Sequence, residues 1–338
     1  MSEHLTTAMA RETAEAPEAV ARMLAHNRDA LGELAKLFRH RDPAFIATCA
    51  RGSSDNAATY FKYLSEIALG LPCASLGASI ASVYEARLRL RDSLLVTISQ
   101  SGLSPDILSV QAEAKRAGIP TIAITNDDQS PLAREADLCL PLCAGVEESV
   151  TATKTFVASA AMAAAIIASL ADDRTFKAAT DNLPATLANA LEVEWRAVED
   201  LAASATSLYV LGRGPSFPMA QEAALKLKES SGLHAEAYSA AEVLHGPMEL
   251  IEEGFPVIVF SPKDAARETT ARAIDTLRAA GARIVATGSE LDFAETGHPY
   301  LDPLSMILTF YRSAERIAVR RGRDPDHPRL LEKVTRTR

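Results

Sequence analysis

Short apolar runs set in longer stretches of mixed polarity dominate the chain. Phe45 to Ala50, Pro72 to Leu76, Leu94 to Ile98, Pro120 to Thr125 and Leu138 to Pro141 are each four to six residues long and carry β-branched or small apolar side chains. That length and composition predict strands buried on both faces. The intervening stretches hold helix formers, and such alternation predicts a parallel sheet covered by helices on both sides. Ahead of the first strand, Leu24, Leu31, Leu34, Ala35 and Phe38 fall at helical spacing, with Pro17 opening a second helix. The uncharged, Ala-rich run from Thr155 to Ala171 is shorter than the roughly 20 residues of a membrane span. It is read as a helix buried between two layers.

The pattern then repeats. After helices from Thr155 to about Ala203, Ser207 to Gly212 reads as a strand, and Arg213-Gly214-Pro215-Ser216 takes the place of Arg51-Gly52-Ser53-Ser54. Phe255 to Pro262 parallels Leu94 to Ser101, and Ala282 to Thr287 parallels Ile119 to Thr125. The chain is therefore expected to be a duplicated α/β protein with two domains, each a parallel sheet of about five strands flanked by helices on both faces. The expected divisions are a helical segment at 1–40, a first domain at 41–175, a second at 190–322 and a tail at 323–338.

Composition agrees with this division. A chain of 338 residues suits two domains of roughly 150 each. A net charge of −9 argues against a nucleic-acid surface. Met1 to Ala30 contains no signal-peptide core, so a cytoplasmic location and no membrane partner are expected. Cys49, Cys73, Cys139 and Cys143 form no Cys-x-x-Cys pair and are read as small buried hydrophobes. Nothing beside Cys139 and Cys143 completes a ligand set, so neither metal nor cofactor is expected.

Candidate chemistry starts after Leu94 to Ile98. Ser99-Gln100-Ser101-Gly102-Leu103-Ser104 reads as a hydroxyl-rich turn, and Pro105 opens a helix. A helix N-terminus offers unpaired N–H groups and a positive dipole end, to which Ser99, Ser101 and Ser104 add hydroxyls and Gln100 an amide. The alternative is a turn whose serines merely cap the helix. Arg51-Gly52-Ser53-Ser54 is a second such turn, followed by a helix expected from about Ala57. Both lie at carboxyl ends of strands, where parallel sheets bind ligands. The turn has neither GxxxxGK[ST] nor GxGxxG, so a compact ligand with one phosphate suits it better than a nucleotide. The second copy carries Ser261-Pro262-Lys263-Asp264 in the corresponding place, a degraded version.

Several longer motifs occur in order: Ser99-Gln100-Ser101-Gly102, Glu147 to Lys154, Leu211-Gly212-Arg213-Gly214, Glu222 to Glu229, His234 to Tyr238, His245-Gly246-Pro247, and Asp324 to Arg329 leading to Lys333. With them the chain resembles the tandem sugar isomerase (SIS) family, in particular the isomerase half of glucosamine-6-phosphate synthase. The synthase also has a glutaminase domain with a nucleophilic cysteine; no Cys precedes Cys49 here. The chain is thus expected to lack that domain and to look like the isomerising glucosamine-6-phosphate deaminases, which form fructose 6-phosphate and ammonia. Fructosamine-6-phosphate deglycases are the alternative enzyme reading, and a non-catalytic sugar-phosphate sensor is an alternative from another class.

The resemblance implies roles. Glu229 would move a proton between C1 and C2, although the spacing alone fits a surface i,i+3 partner of Lys226. His245 would open the sugar ring and, as in the synthase, would be supplied by the other subunit of a homodimer. Lys333 would form a Schiff base or merely pair with substrate, and Lys226 would stabilise charge on the intermediate. Ser53, Ser99, Gln100, Ser101 and Ser104 would hold the phosphate of a sugar-phosphate substrate, and the backbone of Val150 and Ala152 would contact the sugar. Ser104 stands where the synthase has threonine, and Leu244 where the bacterial synthase has lysine. Arg336 and Arg338 are read as solvated.

Overall fold

The computed structural model describes residues 7–333, so Arg336 and Arg338 lie outside the described residues. Three helices lead: α1 (Ala8–Ala14), α2 (Ala16–His26) and α3 (Arg28–Arg41). Then come β1 (Phe45–Cys49), α4 (Ser53–Ala68), β2 (Cys73–Ser75), α5 (Ser79–Ser82), β3 (Ser93–Ile98), α6 (Pro105–Arg116), β4 (Thr121–Thr125), α7 (Pro131–Glu135) and β5 (Leu138–Pro141). Helices α8 (Lys154–Leu170) and α9 (Arg174–Asp181) complete one compact unit, formed by Glu18–Glu147 and Lys154–Asp181.

Its five strands pair in parallel in the order β2-β1-β3-β4-β5. Strand order therefore reverses between β1 and β3, where Phe45 to Cys49 align with Ser93 to Thr97. All six residues of β3 are buried, as its uninterrupted apolar run predicted. The Ala-rich run became α8, buried at every residue except Ser169 and Leu170, and its small side chains let it lie close against α4. Among the described residues no helix is long and apolar enough to cross a membrane. Helix α4 begins at Ser53, four residues before the expected Ala57, because Gly52 turns the chain at φ +55° and the serines fit a first helical turn.

The other unit comprises residues 7–17, Glu148–Thr153 and Asn182–Lys333. It holds α1 and adds α10 (Leu183–Ala190), α11 (Arg196–Ala202), β6 (Ser207–Gly212), α12 (Phe217–Ser231), β7 (His234–Ser239), β8 (Pro256–Phe260), α13 (Arg267–Ala279), β9 (Arg283–Ala286) and α14 (Asp302–Arg320). Its sheet is parallel, in the order β7-β6-β8-β9. The α/β duplication holds, with four strands here in place of about five. β7 has no apolar run to announce it: it is an edge strand whose polar His234, Glu236 and Ser239 break the pattern.

Cys49 and Cys73 are buried as expected, whereas Cys139 and Cys143 are partly exposed because β5 is an edge strand and Cys143 lies in the loop after it. Burial pushes the Cys49 and Cys73 thiols up to about 12. Gly212 ends β6 where the chain turns sharply. A Cβ there would lie against the Ser216 carbonyl oxygen, 2.6 Å from its carbon and 2.8 Å from the Phe217 nitrogen, all backbone atoms. Gly212→Ala is expected to destabilise this unit by about 2–3 kcal/mol, read as a lower urea unfolding midpoint.

Candidate active site

The first unit presents two helix N-termini at its topological switch point, the usual ligand position in such sheets. After β3, Ser99 is buried and its Oγ accepts from the Gly102 amide at 3.2 Å, while Ser101 Oγ accepts from Leu103 at 3.4 Å. Ser104 precedes Pro105 yet makes no side-chain cap bond. The amides of Ser101 and Ser104 donate to no acceptor among the described residues, and the first turn of any helix leaves further N–H groups open. The serines thus shape a loop around orphan donors instead of only closing a helix.

Gly102 makes that loop possible. It sits at φ +62°, where a Cβ would meet Ser130 Oγ and lie 2.5 Å from Ser130 Cβ. Ser53 and Ser54 begin α4 on the neighbouring turn, and the side chain of Gln100 is partly exposed. Arg51 Nη2 donates to Asp106 Oδ2 in the first turn of α6, tying the two turns together. Beside this pair is a cleft of about 540 Å³, lined by Arg51, Asp55, Ser75 and Ser79. At the start of the Glu147 to Lys154 motif, the Glu147 carboxylate accepts from the amide and hydroxyl of Thr155 at 3.1 and 2.6 Å, capping α8.

The corresponding turn in the second unit is closed. Ser216 is fully buried; its hydroxyl donates to the carbonyls of Arg213 (3.0 Å) and Phe260 (2.9 Å) and accepts from the Arg213 amide. The Ser261 amide donates to Thr287 Oγ1 at 2.7 Å. The Ser216 hydroxyl after β6 and the Ser261 amide after β8 are thus both taken up by internal hydrogen bonds.

What this unit offers is a carboxylate array on α12. Lys226 is 1% exposed, with its Nζ 2.5 Å from Glu229 Oε2 and 3.5 Å from Glu222 Oε1. Tyr311 of α14 donates its hydroxyl to Glu222 at 3.0 Å. The Lys226–Glu229 pair is therefore no surface pair, because α14, β6 and β7 pack over α12. A buried ammonium must be matched by negative charge. Glu229 keeps 24% of its side chain exposed and lines a cleft of about 640 Å³ with Lys228, Arg323, His327 and Arg329. Glu222 and Tyr311 carry no role in the sequence reading; the i,i+4 spacing of Glu222 and Lys226 was the available signal.

The tail is fastened by polar contacts. Asp326 accepts from the amides of Ala8 (2.7 Å) and Met9 (2.8 Å) at the start of α1, and its carbonyl accepts from the Val150 amide. Any sugar contact by Val150 therefore falls to its carbonyl. Thr151 Oγ1 donates to the Pro325 carbonyl at 2.8 Å, and Lys333 Nζ donates to the Ser149 carbonyl. Lys333 thus reaches the segment containing Val150 and Ala152. His245 is exposed at the end of a short 3-10 turn, and its side chain makes no hydrogen bond to the described residues. No cluster of three or more metal-ligating side chains occurs among the described residues.

The SIS domain family matches residues 41–169 and 201–294. A glutamine–fructose-6-phosphate aminotransferase (isomerizing) from Bradyrhizobium diazoefficiens is 34% identical over 96% of this chain, which spans only 58% of that relative. A provisionally assigned phosphosugar isomerase structure from Silicibacter pomeroyi is 48% identical, with a TM-score of 0.91 over 95% of this chain and 100% of its own. The C-terminal domain of the Francisella tularensis glucosamine-fructose-6-phosphate aminotransferase is 27% identical, with a TM-score of 0.84 over 97% and 100%.

Lys226→Met is expected to destabilise the protein by about 3–5 kcal/mol, since it strands Glu222 in the interior. Adding Glu222→Gln is expected to restore part of that loss in chemical denaturation.

Proposed function

The chain belongs to the SIS-domain family, and on that footing we propose that it is a phosphosugar isomerase acting as an isomerising glucosamine-6-phosphate deaminase. The observation that carries the reading is Glu229: a carboxylate anchored by a buried ammonium and still open to a cleft. One carboxylate so held can take a proton from one carbon and return it to the next.

In this reading the hydroxyl turn of Ser99, Gln100, Ser101 and Ser104, with Ser53, holds the phosphate. His245, contributed by a second copy in a homodimer, opens the ring by moving a proton from the C1 hydroxyl to the ring oxygen. Glu229 removes the C2 proton of the open-chain aldehyde, and Lys226 stabilises the charge that develops on the C1 oxygen. Once that oxygen is protonated, Glu229 delivers the proton to C1, leaving an iminium at C2. Water adds there and ammonia leaves, giving fructose 6-phosphate. Lys333 either speeds this step by imine exchange, with water then hydrolysing its own imine, or only pairs with the sugar. Val150 and Ala152 line the sugar. The four free cysteines suit a reducing, cytoplasmic setting.

A second reading has support from the cleft beside Glu229. Arg323 and Arg329 there suit a carboxylate, as an amino acid linked to fructose 6-phosphate would present. Purified protein with glucosamine 6-phosphate distinguishes the two. Ammonia and fructose 6-phosphate are expected in equal amounts, with a loss of at least about a hundredfold in Glu229→Gln. Turnover of amino-acid-linked fructose phosphates alone would replace the deaminase reading with the deglycase.

A further inference from the structure

Asp106 is misplaced for a phosphate site. It lies in the first turn of α6 with its side chain 1% exposed, where a carboxylate takes up the same positive helix end that a bound anion would use. Asp55 lies similarly in the first turn of α4, and burial raises its carboxyl above the ordinary range while the Arg51 charge pulls it back. Two acids thus flank the hydroxyl turns, and the Arg51 guanidinium pairs with Asp106 and also acts on Asp55.

Resting on the reading of these turns as the phosphate site, we propose that Arg51 is a positioning residue. It neutralises Asp106 and clamps the turn after β1 to the start of α6, so that the orphan amides face an anion without a competing negative charge. The side chain is 45% exposed, and its ion pair spans the point where strand order reverses. Arg51 acts here through Asp106 and is assigned no contact with the reacting atoms.

The experiment compares wild type, Arg51→Gln, Asp106→Asn and the double variant. It measures binding of inorganic phosphate and, with glucosamine 6-phosphate, KM and kcat separately. A single unscreened charge beside a dianion shifts affinity by about tenfold or more. Arg51→Gln is expected to weaken phosphate and raise KM by about that factor while kcat stays within about threefold. Asp106→Asn, which leaves Arg51 in excess, is expected to tighten phosphate, and the double variant to return to within about threefold of wild type.

The opposite signs distinguish charge balance from a purely structural role, which would weaken phosphate in both single variants. If Arg51→Gln fails to fold, Asp106→Asn and the double variant still decide the question. Weakened binding in Asp106→Asn, or a double variant as impaired as Arg51→Gln, overturns the inference alone. A wild-type protein that binds neither phosphate nor a phosphosugar overturns both this inference and the reading beneath it.

Discussion

One ammonium group constrains the second half of the chain. Lys226 lies in the interior between Glu222 and Glu229, and a charge there is tolerable only while both carboxylates stay in place. That requirement fixes the rotation of α12. It also commits Tyr311 of α14 to Glu222, whose Oε1 accepts the Tyr311 hydroxyl as well as facing the Lys226 ammonium. Glu222 is fully enclosed and serves to hold the lysine, whereas Glu229 sits about one helical turn beyond Lys226 with a quarter of its side chain in the cleft. The same ion pair that stabilises α12 therefore aims a carboxylate at solvent-accessible space.

The two halves show how a repeated fold diverges at its turns. Both sheets reverse strand order at their first strand, and both follow that strand with a turn and a helix. In the first half, the turn after β3 keeps amides unspent, with Gly102 holding the loop in a conformation that side chains rarely adopt. In the second, Ser216 in the turn after β6 spends its hydroxyl on the backbone around Gly212, and the buried lysine and its two carboxylates lie on α12. A few turn residues thus decide which copy retains open donors.

Much of the architecture could be read from the residues, because buried strands need mostly apolar runs and β1, β3, β4, β6 and β8 have them, as does the edge strand β9 after Arg283. β7 could not, since an edge strand tolerates His234 and Glu236. The hydroxyl turn was visible as local sequence; the Arg51–Asp106 tie, between residues 55 positions apart, was not. Likewise, i,i+3 spacing gives the Lys226–Glu229 pair but not its burial, which depends on what packs above. The capping of α1 by Asp326 joins residues about 318 positions apart and exists only in the folded chain. Of the remaining candidates, Lys333 is fastened beside Val150, and His245 stays without a partner in the described residues.

The central claim is that the carboxylate held by Lys226 moves a proton between adjacent carbons. Turnover of glucosamine 6-phosphate in deuterium oxide, followed by NMR of the fructose 6-phosphate formed, tests it most directly. Deuterium at C1 and at no other carbon, with none introduced by the Glu229→Gln protein, is the predicted result. Deuterium at a carbon other than C1, or label introduced equally by the Glu229→Gln protein, would contradict it.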